Sequence, residues 1–156
     1  MESLQSLIRR LELQPLPREG GWFRQYFLSP ERDARGRPVR SVIHFVIAPG
    51  NFSALHRLAT PEVWMFVDGA PVEHFQLLAT GEVQRTVLGR ETRAGERKSV
   101  EVPGGVWQGA RTLGVWSQLD CAMTPAWLEE EFELGERDQL HREYPAHDTL
   151  ISELTR

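Results

Sequence analysis

GNFSALHRLATPEVWMFVDG, running from Gly50 to Gly69, decides how the rest of the chain is read. Two short apolar runs, Ser53 to Leu58 and Glu62 to Val67, flank Thr60-Pro61, a pair that turns a chain. Runs of this length bounded by Gly and Pro predict two strands. Side chains alternate along a strand, so His56 and Leu58 share one face, and Glu62, Trp64 and Phe66 share one face of the next. Strands joined in this way aim an imidazole and a carboxylate at one space.

Outward from this pair the same pattern repeats. Val39 to Ala48, Val72 to Leu78, Glu82 to Leu88, Lys98 to Val102, Val106 to Arg111 and the longer run Thr112 to Met123 read as strands. Pro49-Gly50-Asn51, Asp68-Gly69-Ala70-Pro71, Ala79-Thr80-Gly81 and Pro103-Gly104-Gly105 punctuate them. Trp22 to Leu28 is a further, aromatic strand. Trp22, Arg24 and Tyr26 fall on one of its faces; Phe23, Gln25 and Phe27 fall on the other. Many short strands without strand–helix alternation predict an all-β sandwich or barrel in a single domain spanning residues 1–156. Ser3 caps a short N-terminal helix whose Leu4, Leu7, Ile8 and Leu11 share a face and which ends by Pro15. Pro15 to Gly21 is a connector, and Ser29 to Pro38 a polar loop. Trp127 to Leu134 is a covering piece, and helices follow over Glu136 to Glu143 and Pro145 to Leu154.

The composition excludes several classes. The chain has 156 residues and a net charge of −4, with no electrostatic footprint for nucleic acid. Arg32, Arg35, Arg37 and Arg40 surround Gly36 and read as a solvated turn, as Glu129-Glu130-Glu131 reads as a solvated face. No apolar run has the length of a membrane span, and Met1 to Arg10 lacks a signal-peptide core, so a cytoplasmic location is expected. The single Cys121 has no internal partner and sits in an apolar run, as a buried inert thiol.

If the faces bearing His56, Glu62 and Gln108 point inward, the interior holds an imidazole, a carboxylate and an amide among large apolar walls, the make-up of a small-molecule site. The intervals Gly50, His56, Leu58, Glu62, Gly69 resemble the first cupin motif, with Leu58 at its second His. Pro103-Gly104-Gly105-Val106-Trp107-Gln108 resembles the second, with Gln108 at its His and Arg97 where an upstream Gly belongs. More narrowly, Glu19-Gly20-Gly21-Trp22-Phe23-Arg24, Ser53 to Arg57, Glu62-Val63-Trp64, Val106-Trp107-Gln108 and Phe132 to Gly135 resemble the DUF985 family of the cupin superfamily. Met65 departs from the His that members often carry at that position, on the face opposite Glu62.

The resemblance implies a jelly-roll β-barrel, a homodimer, and a family described as sugar-epimerase-like. It implies His56 as a base that takes a proton next to a keto group and a Tyr as the acid, for which Tyr26 is the better of the two tyrosines; Glu62 partners His56, Arg24 on the Tyr26 face binds a phosphate or carboxylate, and Trp64, Gln108 and Glu19 also serve the substrate. Metal-dependent cupins use three His and one Glu. An ion here would have only His56, Glu62 and Gln108, a poor set for zinc or iron, so no cofactor is expected. The leading expectation is a metal-independent isomerase or epimerase on a sugar-like or keto-acid-like metabolite. The alternatives are a non-catalytic metabolite binder and a metal-dependent cupin. Besides packing roles for Trp64, Phe66 and Trp107, His56 has a structural alternative as a buried partner of Glu62. His44 reads as packing, His141 and His147 as solvated, and the facing of His74 stays open.

Overall fold

The computed structural model describes all 156 residues. A helix, α1 (Leu4–Arg10), opens the chain. Its N-cap Ser3 Oγ accepts from Ser6 N–H at 3.2 Å, and its buried Leu7 packs with Leu13, Val46 and Trp116. The strands are β1 (Gln14–Pro15), β2 (Trp22–Leu28), β3 (Ser41–Ile47), β4 (Ser53–Leu58), β5 (Glu62–Gly69), β6 (Val72–Leu77), β7 (Val83–Leu88), β8 (Ser99–Val102), β9 (Trp107–Thr112), β10 (Ser117–Met123) and β11 (Phe132–Leu134). Two helices close the chain, α2 (Arg137–Glu143) and α3 (Asp148–Glu153), the latter entered through a single turn at Pro145–His147. The predicted second C-terminal helix is therefore two pieces. No helix is long and apolar enough to cross a membrane.

The strands form two antiparallel sheets, ordered β1-β2-β3-β10-β5-β8 and β11-β4-β9-β6-β7. Their inner faces meet over Phe45, Ile47, Trp64, Val72, Leu88, Val102, Leu119 and Cys121. The expected barrel is not closed: no strand ladder joins the sheets, and only an isolated bridge, Leu88 to Arg97, spans the β7 side. The fold is a jelly-roll sandwich. α2 and α3 cover the outer face of the second sheet, where Leu140, Tyr144, Ile151 and Leu154 pack on Leu55, Phe75, Leu77 and Trp107. Trp107, one residue before Gln108, thus belongs to the helix-covered face.

The side of the sandwich away from β7 stays open, and its two lips carry the site. One lip follows β1. Gly20 and Gly21 both have positive φ, at 99° and 74°. A Cβ at Gly20 would lie 2.5 Å from the Phe52 carbonyl oxygen, and one at Gly21 would lie 2.8 Å from that of Val46. This close passage presents Glu19 beside β4. Arg156 fastens it from the far end of the chain, donating to the carbonyls of Glu19 (2.8 Å) and Phe52 (3.0 Å).

The other lip is the strap from Trp127 into β11. Arg37 holds it down, donating to the Ala126 carbonyl, to Thr60 Oγ1 at 3.2 Å and to Glu131 Oε1 at 2.7 Å. Arg37 is therefore not a solvated turn residue, and Glu131 is not part of a solvated face. A guanidinium has enough donors in one plane to join a loop, a turn and a strap. Alternation fails within β2. A bulge at Tyr26 separates the pairs Gln25–Ile43 and Phe27–Val42, so Phe27 leaves the face of Phe23 and Gln25.

Replacing Arg37 by Ala leaves Glu131 and the Ala126 carbonyl without their donor. Urea unfolding should show a loss of about 1–3 kcal/mol with an unchanged m-value. A loss below about 0.5 kcal/mol would show that the anchor does not hold the strap.

Candidate functional site

β5 and β9 lie in different sheets, and their inward side chains meet across the core. Trp64 Nε1–H donates to Glu62 Oε1 at 3.0 Å and to Gln108 Oε1 at 2.8 Å, while Gln108 Nε2–H donates to Glu62 Oε1 at 3.1 Å. An indole N–H can only donate, so the Gln108 atom facing it is the oxygen. The His74 Nε2, 3.2 Å from that oxygen, must then carry hydrogen, and Nδ1 of the neutral ring carries none. His74 Nδ1 is the one buried side-chain polar atom without a partner. Burial above all, with a smaller push from His56, lowers the His74 pKa to about 4 against the pull of the Gln108 bond, so the ring stays neutral at physiological pH.

Glu62 is the charged group of this floor. Burial first and the Glu19 carboxylate second push its pKa up to about 7, opposed by His56 and by the bonds from Trp64 and Gln108. Near neutrality it both holds and releases a proton.

His56, from β4, is fixed separately. Its Nδ1 lies 2.7 Å from the Ala54 carbonyl, which can only accept. Nδ1 therefore bears the hydrogen, and Nε2 of the neutral ring has a free lone pair. Nε2 faces Glu19 Oε1 at 3.7 Å, and the ring stacks on Phe132 at 5.4 Å. Ser53 Oγ–H donates to the same Glu19 oxygen at 2.7 Å. The carboxylate within ion-pair reach of His56 is thus Glu19, whereas the hydrogen bonds of Glu62 go to Trp64 and Gln108.

Glu19 and Glu62 both line a cavity of about 350 Å³. Phe23, Phe45, Leu58, Trp64, Trp127 and Phe132 supply much of its wall, and Gln25, Ser41, Arg18 and Glu129 add polar groups. This size and make-up suit a small organic ligand. Arg18 stands between the lips, its guanidinium 4.5 Å from the Phe132 ring and 3.7 Å from Glu129. His56 and Gln108 stand behind the lining, the first behind Glu19 and Phe132, the second behind Glu62 and Trp64.

Two expected site residues lie elsewhere. Arg24 and Tyr26 share a face, as alternation predicts, but it is the outer one. Arg24 pairs with Glu12 at 2.6 Å. Tyr26 donates to Asp120 at 2.9 Å and stacks on His44 at 4.0 Å, while His44 Nδ1 meets Asp120 at 2.8 Å. Burial and then Asp120 push the Tyr26 hydroxyl up to about 12, a poor acid. The inward positions of β2 belong to Phe23 and Gln25. Gln25 was legible from the same alternation, once the face of Arg24 is reversed. His74 had no such signal, because β6 is buried on both faces. Arg18 and Trp127 sit on loops, and Phe132 opens the three-residue β11, whose approach no periodicity reports.

The family follows from this chain's own match. The model of the cupin superfamily family DUF985 matches residues 5–135. The chain belongs to that family. A crystal structure of a Shewanella oneidensis protein is similar at 30% identity and TM-score 0.95, over 100% of this chain and 99% of that one. A hypothetical protein from Leishmania major is 26% identical with TM-score 0.90, over 99% of each chain. Oxalate decarboxylase from Bacillus subtilis shares the fold alone, at 12% identity and TM-score 0.60 over 92% of this chain and 37% of that one, and its structures include Mn(II) centres. No curated protein matches the chain.

A metal set of His56, Glu62 and Gln108 does not fit this cupin. Both lone pairs of the Gln108 oxygen face N–H donors, from Trp64 and His74, and Leu58 offers no ligand. No group of three or more His, Cys, Asp or Glu side chains is placed to hold an ion.

The raised Glu62 pKa has a stability consequence. Above about pH 4.5 the unfolded carboxyl has lost its proton, while the folded one keeps it to about pH 7, so the folded state binds more protons across that window and this contribution falls as pH rises. Relative to Glu62→Gln, which has no proton to lose, the wild type should lose on the order of 3 kcal/mol between about pH 5 and about pH 8 in urea unfolding. Parallel pH profiles for the two proteins would show that Glu62 titrates normally.

Proposed function

We propose that this small-molecule-binding cupin moves a proton on a carbonyl metabolite without a metal, as an isomerase or epimerase does. The observation that carries this reading is one cavity that brings Glu19 and Glu62 together in unlike surroundings. Glu19 accepts from Ser53 Oγ–H and faces His56 Nε2 at 3.7 Å, and Glu62 sits on a buried floor that holds its proton to near neutrality. Paired titratable groups with separated environments divide acid and base roles. Glu19 abstracts the proton next to the carbonyl, and His56 stands behind it as the countercharge when protonated. The C–H electron pair moves into the enol, whose oxygen takes the Glu62 proton. Return of a proton to carbon and of the Glu62 proton to its carboxyl completes the isomerisation. Glu62 fills the acid role expected of Tyr26, Glu19 the base role expected of His56, and His56 the partner role expected of Glu62.

The test is deuterium incorporation from heavy water into a panel of carbonyl metabolites, read by mass spectrometry. His56→Gln and Glu19→Gln should each slow exchange by about 10²–10⁴-fold while leaving the folded NMR spectrum intact. Exchange at the wild-type rate in both would sink the base assignment. Retention of a panel member with no incorporation by the wild type would favour the non-catalytic binder.

The reading includes a homodimer. β1 pairs only with Trp22 and Phe23, so the rest of β2 is an open edge that exposes Tyr26, Phe27 and Leu28. Light scattering should give twice the chain mass, and Phe27→Glu should halve it; a monomeric wild type refutes this.

A further inference from the structure

We propose that the cavity selects an uncharged carbonyl compound with an apolar body, and that the group reading its oxygen is Glu62 Oε2–H. This inference rests on the proton-transfer reading and names the substrate class that the same site takes.

The two oxygens of Glu62 are not equivalent. Oε1 accepts from both Trp64 Nε1–H and Gln108 Nε2–H. An oxygen that accepts two N–H bonds is the carbonyl-type oxygen of a protonated carboxyl, so the hydroxyl is Oε2. Oε2 has no partner within the protein, and it is not among the buried orphan atoms, where only His74 Nδ1 appears. Glu62 lines the cavity, so this O–H is offered to whatever enters. Trp64 and Gln108 fix its direction, since neither can release Oε1 without losing a buried hydrogen bond.

The other charges exclude the alternatives. Glu19, Glu62 and Glu129 line the cavity, and the single cation there, Arg18, is spread between Glu129 and the Phe132 face at the lips. Nothing positive reaches the floor, so a carboxylate or phosphate would lie unpaired among Phe23, Phe45 and Trp64. Keto acids and sugar phosphates are thereby excluded, and so is the anion-binding part expected of Arg24, which pairs with Glu12 on the outer face. A polyol is poorly served too, since beyond the carboxyl groups and Arg18 only Gln25 and Ser41 bring polar side chains. His56, His74 and Cys121 are the remaining titratable groups near Glu62; His56 stands behind Glu19, burial keeps the His74 ring neutral, and burial holds the Cys121 thiol protonated.

The experiment uses three ligands of one skeleton: acetophenone, benzoate and α-methylbenzylamine. The Trp64 indole N–H, which touches Glu62, is followed by NMR during titration at about pH 6, where the Glu62 carboxyl is neutral. Acetophenone should bind at least about tenfold more tightly than either charged probe, because each of those buries an unpaired charge. Glu62→Gln should keep acetophenone binding within about threefold, since an amide accepts from Trp64 with its oxygen and donates to the ligand with its nitrogen. Tighter binding of the amine, lost in Glu62→Gln, would make Glu62 a counter-ion and overturn the proposal. Tighter binding of benzoate would overturn it as well. In the benzoate case the cavity and its proton-transfer chemistry would stand; in the amine case the cavity alone would stand. No shift of Trp64 with any probe would overturn the substrate class and the cavity reading together.

Discussion

The forked hydrogen bond from Trp64 Nε1–H to Glu62 and Gln108 ties the two sheets together at their centre. Glu62 and Trp64 belong to β5 in one sheet; Gln108 on β9 and His74 on β6 belong to the other. Apolar packing alone would hold the sheets face to face but would not fix their lateral register. A buried indole N–H, an amide and a carboxyl that satisfy one another leave few other arrangements. Removing any one of them strands the remainder in a dry core, where each unmade bond costs about 1–3 kcal/mol. The same network makes the site, because it orients Glu62 and leaves one of its oxygens unused.

The open side follows from how the chain is spent elsewhere. Near β7 the sheets approach closely enough for an isolated bridge. On the opposite side β1 and β11 are two and three residues long, too short to form a closing ladder. The gap is filled by irregular chain, and irregular chain needs anchors that a ladder would supply. Arg37 anchors the strap and Arg156 the lip that carries Glu19. Glu62 therefore sits on a strand, while Glu19 sits on a loop clamped by Arg156 and Ser53.

The sequence carried the strands and the family with little loss, because period-two alternation and Gly/Pro punctuation are local. His56, Glu62, Trp64 and Gln108 were legible as one cluster for the same reason. Alternation shows which residues share a face but not which face is inward, and that ambiguity sent Arg24 and Tyr26 into the cavity on paper. Aromatic Phe23 and Phe27 looked no more inward than Trp22 and Tyr26, and the bulge then moved Phe27 outward as well. Arg37 failed differently. A polar loop with Gly36 at its tip resembles any solvated turn until the strap arrives at Ala126, 89 residues after Arg37. His74 was silent because β6 is covered by a sheet on one face and helices on the other, which removes the alternation itself.

Leu58 and Gln108 change what the Glu62 carboxyl is. In a cupin that holds an ion with three His and one Glu, the metal's charge keeps the carboxylate ionised. Here two N–H donors meet Glu62, and both go to one oxygen. They soften the desolvation of Glu62 but do not cancel it, and Glu19 adds repulsion. A proton becomes the remaining cation available to this floor. On the proposed reading, Leu58 and Gln108 turn a Lewis-acid position into a Brønsted-acid one around the same glutamate, and the Glu19–His56 pair supplies the base.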